Sequence, residues 1–143
     1  MNDALAMERV VRFYETIDAH TLHTALAAVY APDARFKDPF NEVIGVAAIG
    51  AIFVHMFEQV GEPRFKVTAQ MAQDGQAFLV WEFRFRLKQL AKGEQRIRGA
   101  SHIRFNGAGL VAEHRDYWDA AEELYEKLPL VGGLMRLLKR AFR

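Results

Sequence analysis

Phe78-Leu79-Val80-Trp81-Glu82-Phe83-Arg84-Phe85-Arg86-Leu87 is the stretch whose reading decides the fold class. Phe83, Phe85 and Leu87 alternate with Arg84 and Arg86, the period-two pattern of a strand whose successive side chains point to opposite faces. Moving outward, the same period occurs in Phe65-Val67-Ala69 before it, and in Ile97, Ile103-Phe105 and Leu110-Val111 after it. Gln73-Asp74-Gly75, Lys92-Gly93-Glu94 and Asn106-Gly107-Ala108-Gly109 supply glycine turns at the joints. The economical reading is four strands joined antiparallel.

Toward the N-terminus the period lengthens. Met7, Val10, Phe13-Tyr14 and Ile17 recur at three- and four-residue steps, which predicts a first helix capped by Asp3. A second short helix, Leu22 to Tyr30, ends before Pro32-Asp33, because proline and a turn-forming acid interrupt it. Ala34-Arg35-Phe36-Lys37-Asp38 then alternates as a half-buried strand, with Asp38 at its end before Pro39. A third helix, Val46 to Val60, has Ile49, Ile52-Phe53, Met56-Phe57 and Val60 on one apolar face, with Gly61 placed to close it. Helices first and a strand meander afterwards predict an α+β domain with helices on one face of the sheet.

The chain has 143 residues, enough for one domain with a real core and a pocket inside it. At 51% hydrophobic and 26% charged residues its composition is that of a soluble globular protein. The formal charge of +1, from 19 Lys+Arg against 18 Asp+Glu, gives no global field for nucleic acid, so no nucleic-acid partner is expected. Without cysteine there are no disulfides, thiolate nucleophiles or cysteine-ligated metals, and chemistry falls to Tyr, His, Asp, Glu, Ser or Lys. His20, His23, His55, His102 and His114 lack ligand spacing, and no phosphate-binding glycine loop opens a helix. Neither metal nor cofactor is expected. Met1-Asn2-Asp3-Ala4 lacks the basic start of a secretory signal, so a cytoplasmic setting is expected.

Two segments carry a resemblance. Tyr30 to Ile49, YAPDARFKDPFNEVIGVAAI, has an Asp-Pro pair after a short strand and then a Gly-x-x-Ala-Ile helix start; Ile103 to Val111, IRFNGAGLV, has the form of a late hairpin. Both resemble the ketosteroid isomerase and SnoaL-like members of the NTF2-like superfamily, and Tyr14 falls at the matching place on the first helix. The resemblance covers residues 7 to 118 and implies an NTF2-like cone, a curved antiparallel sheet packed against the N-terminal helices around one apolar pocket. It also implies a homodimer. Trp81, Phe83 and Phe85 would supply its apolar interface if that alternate set faces outward.

The resemblance also implies roles. Asp38 matches the carboxylate that removes a proton beside a ketone, a step favoured in a partly dry pocket where desolvation raises basicity. Read from its neighbours alone, Asp38 could equally cap a turn before Pro39. Tyr14 matches a hydrogen-bond donor to the developing enolate. Ser101 stands where the family has a second, acidic donor, and a serine hydroxyl is the weaker one.

On the last strand, alternation puts His114, Asp116 and Trp118 on one face. Aligned from the turn, that face is the one the family directs into its pocket, so the resemblance implies a pocket with Asp38, Tyr14, His114 and Asp116 as acid-base groups. Ser101, Trp118, Phe40 and Phe57 are read as substrate-binding. Asp116 also resembles, in position, the acid of SnoaL-type polyketide cyclases. The expected ligand is a hydrophobic small molecule. The expected activity is isomerase- or cyclase-like enolisation, with a noncatalytic binding domain as the alternative.

Residues 119–143 extend beyond the 1–118 domain. Asp119 to Glu126 reads as a capped helix and Leu134 to Arg143 as a second, amphipathic one, with Arg136, Lys139, Arg140 and Arg143 along a basic edge. This C-terminal helical extension either docks on the domain or a dimer mate, or makes peripheral contact with an anionic membrane surface.

Overall fold

The computed structural model describes residues 2–87, 93–119 and 140–141. Its elements run α1 (Asp3–Glu15), α2 (Leu22–Val29), β1 (Tyr30–Lys37), β2 (Glu42–Ile44), α3 (Val46–Gln59), β3 (Val60–Gln73), β4 (Gln76–Leu87), β5 (Gln95–Phe105) and β6 (Val111–Tyr117). The strands form one sheet in the order β2-β1-β6-β5-β4-β3. It is curved, unclosed and covered on one face by the helices, an α+β cone.

The sheet is mixed, which corrects the antiparallel expectation: β1 runs parallel to β6. The glycine turns fix only the hairpins β3–β4, β4–β5 and β5–β6, which are antiparallel. β1 comes from before the meander and docks on its last strand through no hairpin, so no turn dictated its direction. Its register with β6 shifts between Tyr30 and Arg35, the stretch that holds Pro32, which has no amide proton for the ladder.

Local endings also differ from expectation. Asn2, rather than Asp3, caps α1, its Oδ1 accepting from the amides of Ala4 (3.0 Å) and Leu5 (3.3 Å). Asp3 instead accepts from the Gly75 amide at 2.9 Å and ties the helix start to the β3–β4 turn. Tyr30 belongs to β1, not to α2. Gly61 does not close α3, which passes directly into β3; the left-handed residue is Glu62, at φ 52°, beside Pro63 where the β3–β4 register shifts.

The inward face carries Leu79, Trp81, Phe83 and Phe85 of β4 with Ile97 and Ile103 of β5, packed against Val10, Phe13, Leu26, Ile49 and Phe53 of the helices. Trp81, Phe83 and Phe85 are therefore core, and the outward apolar set is Met71, Phe78 and Val80. Trp81 pairs across the ladder with Gly99, and a Cβ built at Gly99 would lie 2.5 Å from its indole. Glycine there is the condition for the indole to lie flat over β5. The C-terminal helices expected from the sequence fall outside the described residues, of which only Arg140 and Ala141 are helical there, with Ala141 fully buried. Among the described residues no helix is long and apolar enough to cross a membrane.

Candidate active site

The pleat of β6 sends His114 and Asp116 to the covered face, and the β5–β6 register sets Asp116 opposite Ser101. The consequence is a continuous hydrogen-bonded chain. Trp81 Nε1 donates to Ser101 Oγ at 2.8 Å, and Ser101 Oγ donates to Asp116 Oδ1 at 2.5 Å. His114 Nε2 lies 2.6 Å from the same Oδ1, and Tyr30 Oη lies 2.6 Å from His114 Nδ1. Tyr14 Oη ends the chain, 2.5 Å from Tyr30 Oη.

Aromatic rings enclose its middle. The His114 imidazole stacks on Tyr30 (centroids 6.0 Å, 13° between planes) and packs against Phe36 at 5.0 Å. Burial drives the Tyr30 hydroxyl upward from its ordinary value, and burial first, with Tyr30 and Asp116 as close neighbours, does the same to Tyr14, so both stay protonated.

Asp38 arrives from the end of β1. Its Oδ1 accepts from the amides of Phe40 (2.8 Å) and Asn41 (2.6 Å), and the Asn41 side-chain amide lies 3.2 Å from each oxygen. It therefore closes a turn before and after Pro39, as the local reading allows. Burial nevertheless pushes its carboxyl up to about 6; the Phe40 amide pulls against this and the Asp116 carboxylate adds to it.

Asp38, Asp116, Tyr14 and Trp118 share the wall of a cavity of about 60 Å³ whose other sides are apolar. A recess of about 20 Å³ adjoins it, lined by Ser101 as well as Tyr14 and Asp116. Asp38, Asp116 and Trp118 also border an open depression of about 580 Å³. Both carboxylates thus stand where the enclosed space meets the surface.

The structure brings together Asp38, Tyr14, Asp116 and Trp118 as the sequence reading has them, with Ser101 in the recess. His114 stands behind the wall: 2% exposed, it is bonded to Tyr30, Tyr14 and Asp116, and of these Tyr14 and Asp116 line the cavity. Phe40 packs edge-on against Trp118 at 5.5 Å and lines neither the cavity, the recess nor the depression. Phe57 is half-buried against the core, while Ile52, Phe53 and Met56 form the α3 wall of the cavity.

Sequence reasoning missed Tyr30 and Trp81. The helical period places Tyr30 at the end of α2, and the available signal is that a tyrosine buried at such a junction must find a partner for its hydroxyl. Ser101 is not poised as a nucleophile, because its proton goes to Asp116 and not to an imidazole nitrogen. Among the described residues no three His, Asp or Glu side chains converge as metal ligands.

The model of the SnoaL-like domain matches residues 10–114. The chain belongs to the SnoaL-like domain family. Comparison with curated proteins finds no match. Among solved structures this SnoaL-like protein is similar to a hypothetical protein with a ketosteroid isomerase-like fold from Catenulispora acidiphila, in complex with trimethylamine. The TM-score is 0.73 at 14% identity, over 90% of this chain and 96% of that one. It is similar to a candidate SnoaL-like polyketide cyclase from Jannaschia sp. (TM-score 0.73, 12% identity, 84% and 89% of the two chains). It is also similar to an LEH-like epoxide hydrolase from M. tuberculosis (TM-score 0.67, 17% identity, 94% and 92%). At these identities the likeness establishes the NTF2-like fold, and the neighbours' differing names show how many chemistries it hosts.

Proposed function

We propose that this SnoaL-like protein is a small-molecule enzyme that enolises a hydrophobic carbonyl compound, with Asp38 as general base. The observation that carries the reading is the Asp38 carboxyl, pushed up to about 6 by burial on the wall of an otherwise apolar cavity that also holds Tyr14 and Asp116. A carboxylate stripped of water is a stronger base, and a value near 6 leaves it ionised at neutral pH. It takes the proton from the carbon beside the carbonyl; the enolate oxygen lies toward Tyr14, whose hydroxyl donates to it once the hydrogen-bonded network behind it has taken up a proton, and the proton held by Asp38 returns to carbon. The enclosed space is far below the roughly 300–1,000 Å³ of ligand pockets in general. The substrate therefore inserts its reacting end past Asp38 and leaves the remainder in the open depression against Trp118.

A binding domain without turnover is the second reading. It is favoured by one observation: Asp38 accepts from Phe40 and Asn41 of its own turn, the bonds of a turn-closing acid. Proton-deuterium exchange, followed by NMR on a ketosteroid and a panel of smaller cyclic ketones, separates the two. Exchange by the wild type that disappears in Asp38→Asn supports the enzyme, since asparagine keeps the turn's acceptor oxygen. Absence of exchange from the wild type on every compound, with ligand affinity surviving Asp38→Asn, supports the binding domain.

We also propose that a homodimer forms through the outer sheet face, where Met71, Phe78 and Val80 are exposed.

A further inference from the structure

The chain Tyr14, Tyr30, His114, Asp116 begins and ends on the same cavity, because Tyr14 and Asp116 both line it while Tyr30 and His114 run behind the wall. The direction of its protons is not arbitrary. An ionised carboxylate can only accept, and Asp116 Oδ1 already takes the Ser101 hydroxyl proton, whose oxygen is held by the Trp81 indole N–H. His114 Nε2 at 2.6 Å must therefore carry a proton. In a neutral imidazole Nδ1 is then bare, and the Tyr30 hydroxyl at 2.6 Å donates to it. With its proton so used, Tyr30 meets Tyr14 at 2.5 Å only as an acceptor, and Tyr14 is the donor. With Asp116 ionised and His114 neutral, every proton in the chain points toward Asp116, and the Tyr14 oxygen then shows the cavity lone pairs and no proton.

We propose that Tyr30 and His114 are positioning residues that set the hydrogen-bond polarity of Tyr14. In the resting protein the Tyr14 end of the cavity accepts a hydrogen bond from a hydroxylic ligand, and it donates one to an oxyanion only after the His114–Asp116 pair has taken up one proton. The change balances simply. One proton from solvent joins the pair, Nδ1 becomes protonated and donates to Tyr30, Tyr30 donates to Tyr14, and the Tyr14 hydroxyl turns into the cavity. No bond between heavy atoms is made or broken, and the network goes from one negative charge to none as the anion enters. The ligand classes follow: neutral alcohols, phenols and enols enter without a proton, whereas phenolates and enolates enter with one.

The idea rests on the carbonyl reading of the cavity for its ligands, and not for the polarity itself. The test uses the full chain with 15N-labelled histidine, His114 being assigned by the signal lost in His114→Gln, at about pH 8.5, where unsubstituted phenol keeps its proton. The probes are phenol and 4-nitrophenolate, the latter reporting its own ionisation by its absorption band.

The expected result is a free protein with His114 protonated on Nε2 only, unchanged by phenol. Nitrophenolate, bound as the anion, protonates Nδ1, and calorimetry in two buffers reads uptake of one proton per site. In Tyr30→Phe the relay keeps only the longer 3.4 Å approach of Tyr14 Oη to His114 Nδ1, and uptake on binding the anion falls below one. A merely structural tyrosine would not move that count.

Nδ1 already protonated in the free protein overturns the polarity. Anion bound while Nδ1 stays bare, or anion excluded from a cavity that admits phenol, overturns the switch. If neither probe binds, the carbonyl reading of the pocket is what fails, and the tautomer in the free protein still decides the polarity.

Discussion

Asp38→Asn should make this protein more stable at pH 8 while removing its activity. Burial raises the Asp38 carboxyl from its ordinary 3.8 to about 6, and at about 1.36 kcal/mol per unit this means that ionising it in the folded state costs up to about 3 kcal/mol. The sign follows from the raised value. Below the unfolded value both states hold the proton and no penalty exists. As pH rises toward about 6 the unfolded chain ionises first, and stability is lost. Above that the penalty is constant.

Asparagine has no charge to desolvate, and its Oδ1 can keep the bonds from Phe40 and Asn41. The variant should therefore exceed the wild type by up to about 3 kcal/mol at pH 8, with the difference shrinking toward zero near pH 4. Urea unfolding of both proteins at the two pH values measures it. An Asp38→Asn protein no more stable than the wild type at pH 8, or an advantage that survives at pH 4, would refute the claim that the carboxylate is held against its hydration.

The same carboxyl sets the pH profile of exchange on a cyclic ketone: the rate should climb through pH about 6 as the base ionises and level off above, and a flat profile would remove Asp38 from that role. Gly99→Ala puts a methyl 2.5 Å from the Trp81 indole; overpacking of this kind costs about 1–3 kcal/mol, and near-ultraviolet circular dichroism should show the ring displaced. Ser101→Ala strands the buried Trp81 N–H at a cost of about 1–3 kcal/mol, so an unchanged urea midpoint would mean that the bond does not hold the cavity wall. For the dimer, Val80→Arg sets a charge in the middle of the outer face. An unpaired buried charge costs about 3 kcal/mol or more, about a hundredfold in dissociation constant; sedimentation equilibrium reads it, and a wild type that is monomeric throughout excludes the interface.

Much of the site was legible because its groups lie near recognisable local signals. Asp38 ends an alternating strand before a proline, His114 and Asp116 follow a glycine turn by a countable number of residues, and Tyr14 lies on the apolar face of a plain amphipathic helix. Strand alternation correctly placed Asp116 toward the cavity. It placed His114 on the right face but could not say that Tyr14 and Asp116 would come between it and the ligand space, since depth is a property of packing and not of period. Tyr30 escaped because it joins a helix to a strand, where neither periodicity applies.

Periodicity and turn chemistry determined by themselves what depends on neighbours in the chain: helices, hairpins, the α+β class and the face to which each strand residue points. Only the tertiary structure decided what depends on neighbours brought from elsewhere. Docking β1 parallel on β6 has no turn to announce it. Which strand face is covered is settled by the helices, and it turned Trp81, Phe83 and Phe85 inward. The chain from Tyr14 to Asp116 joins residues 100 or so positions apart, bonded in space because each hydroxyl and ring nitrogen, once buried, had to find the nearest partner the fold supplied.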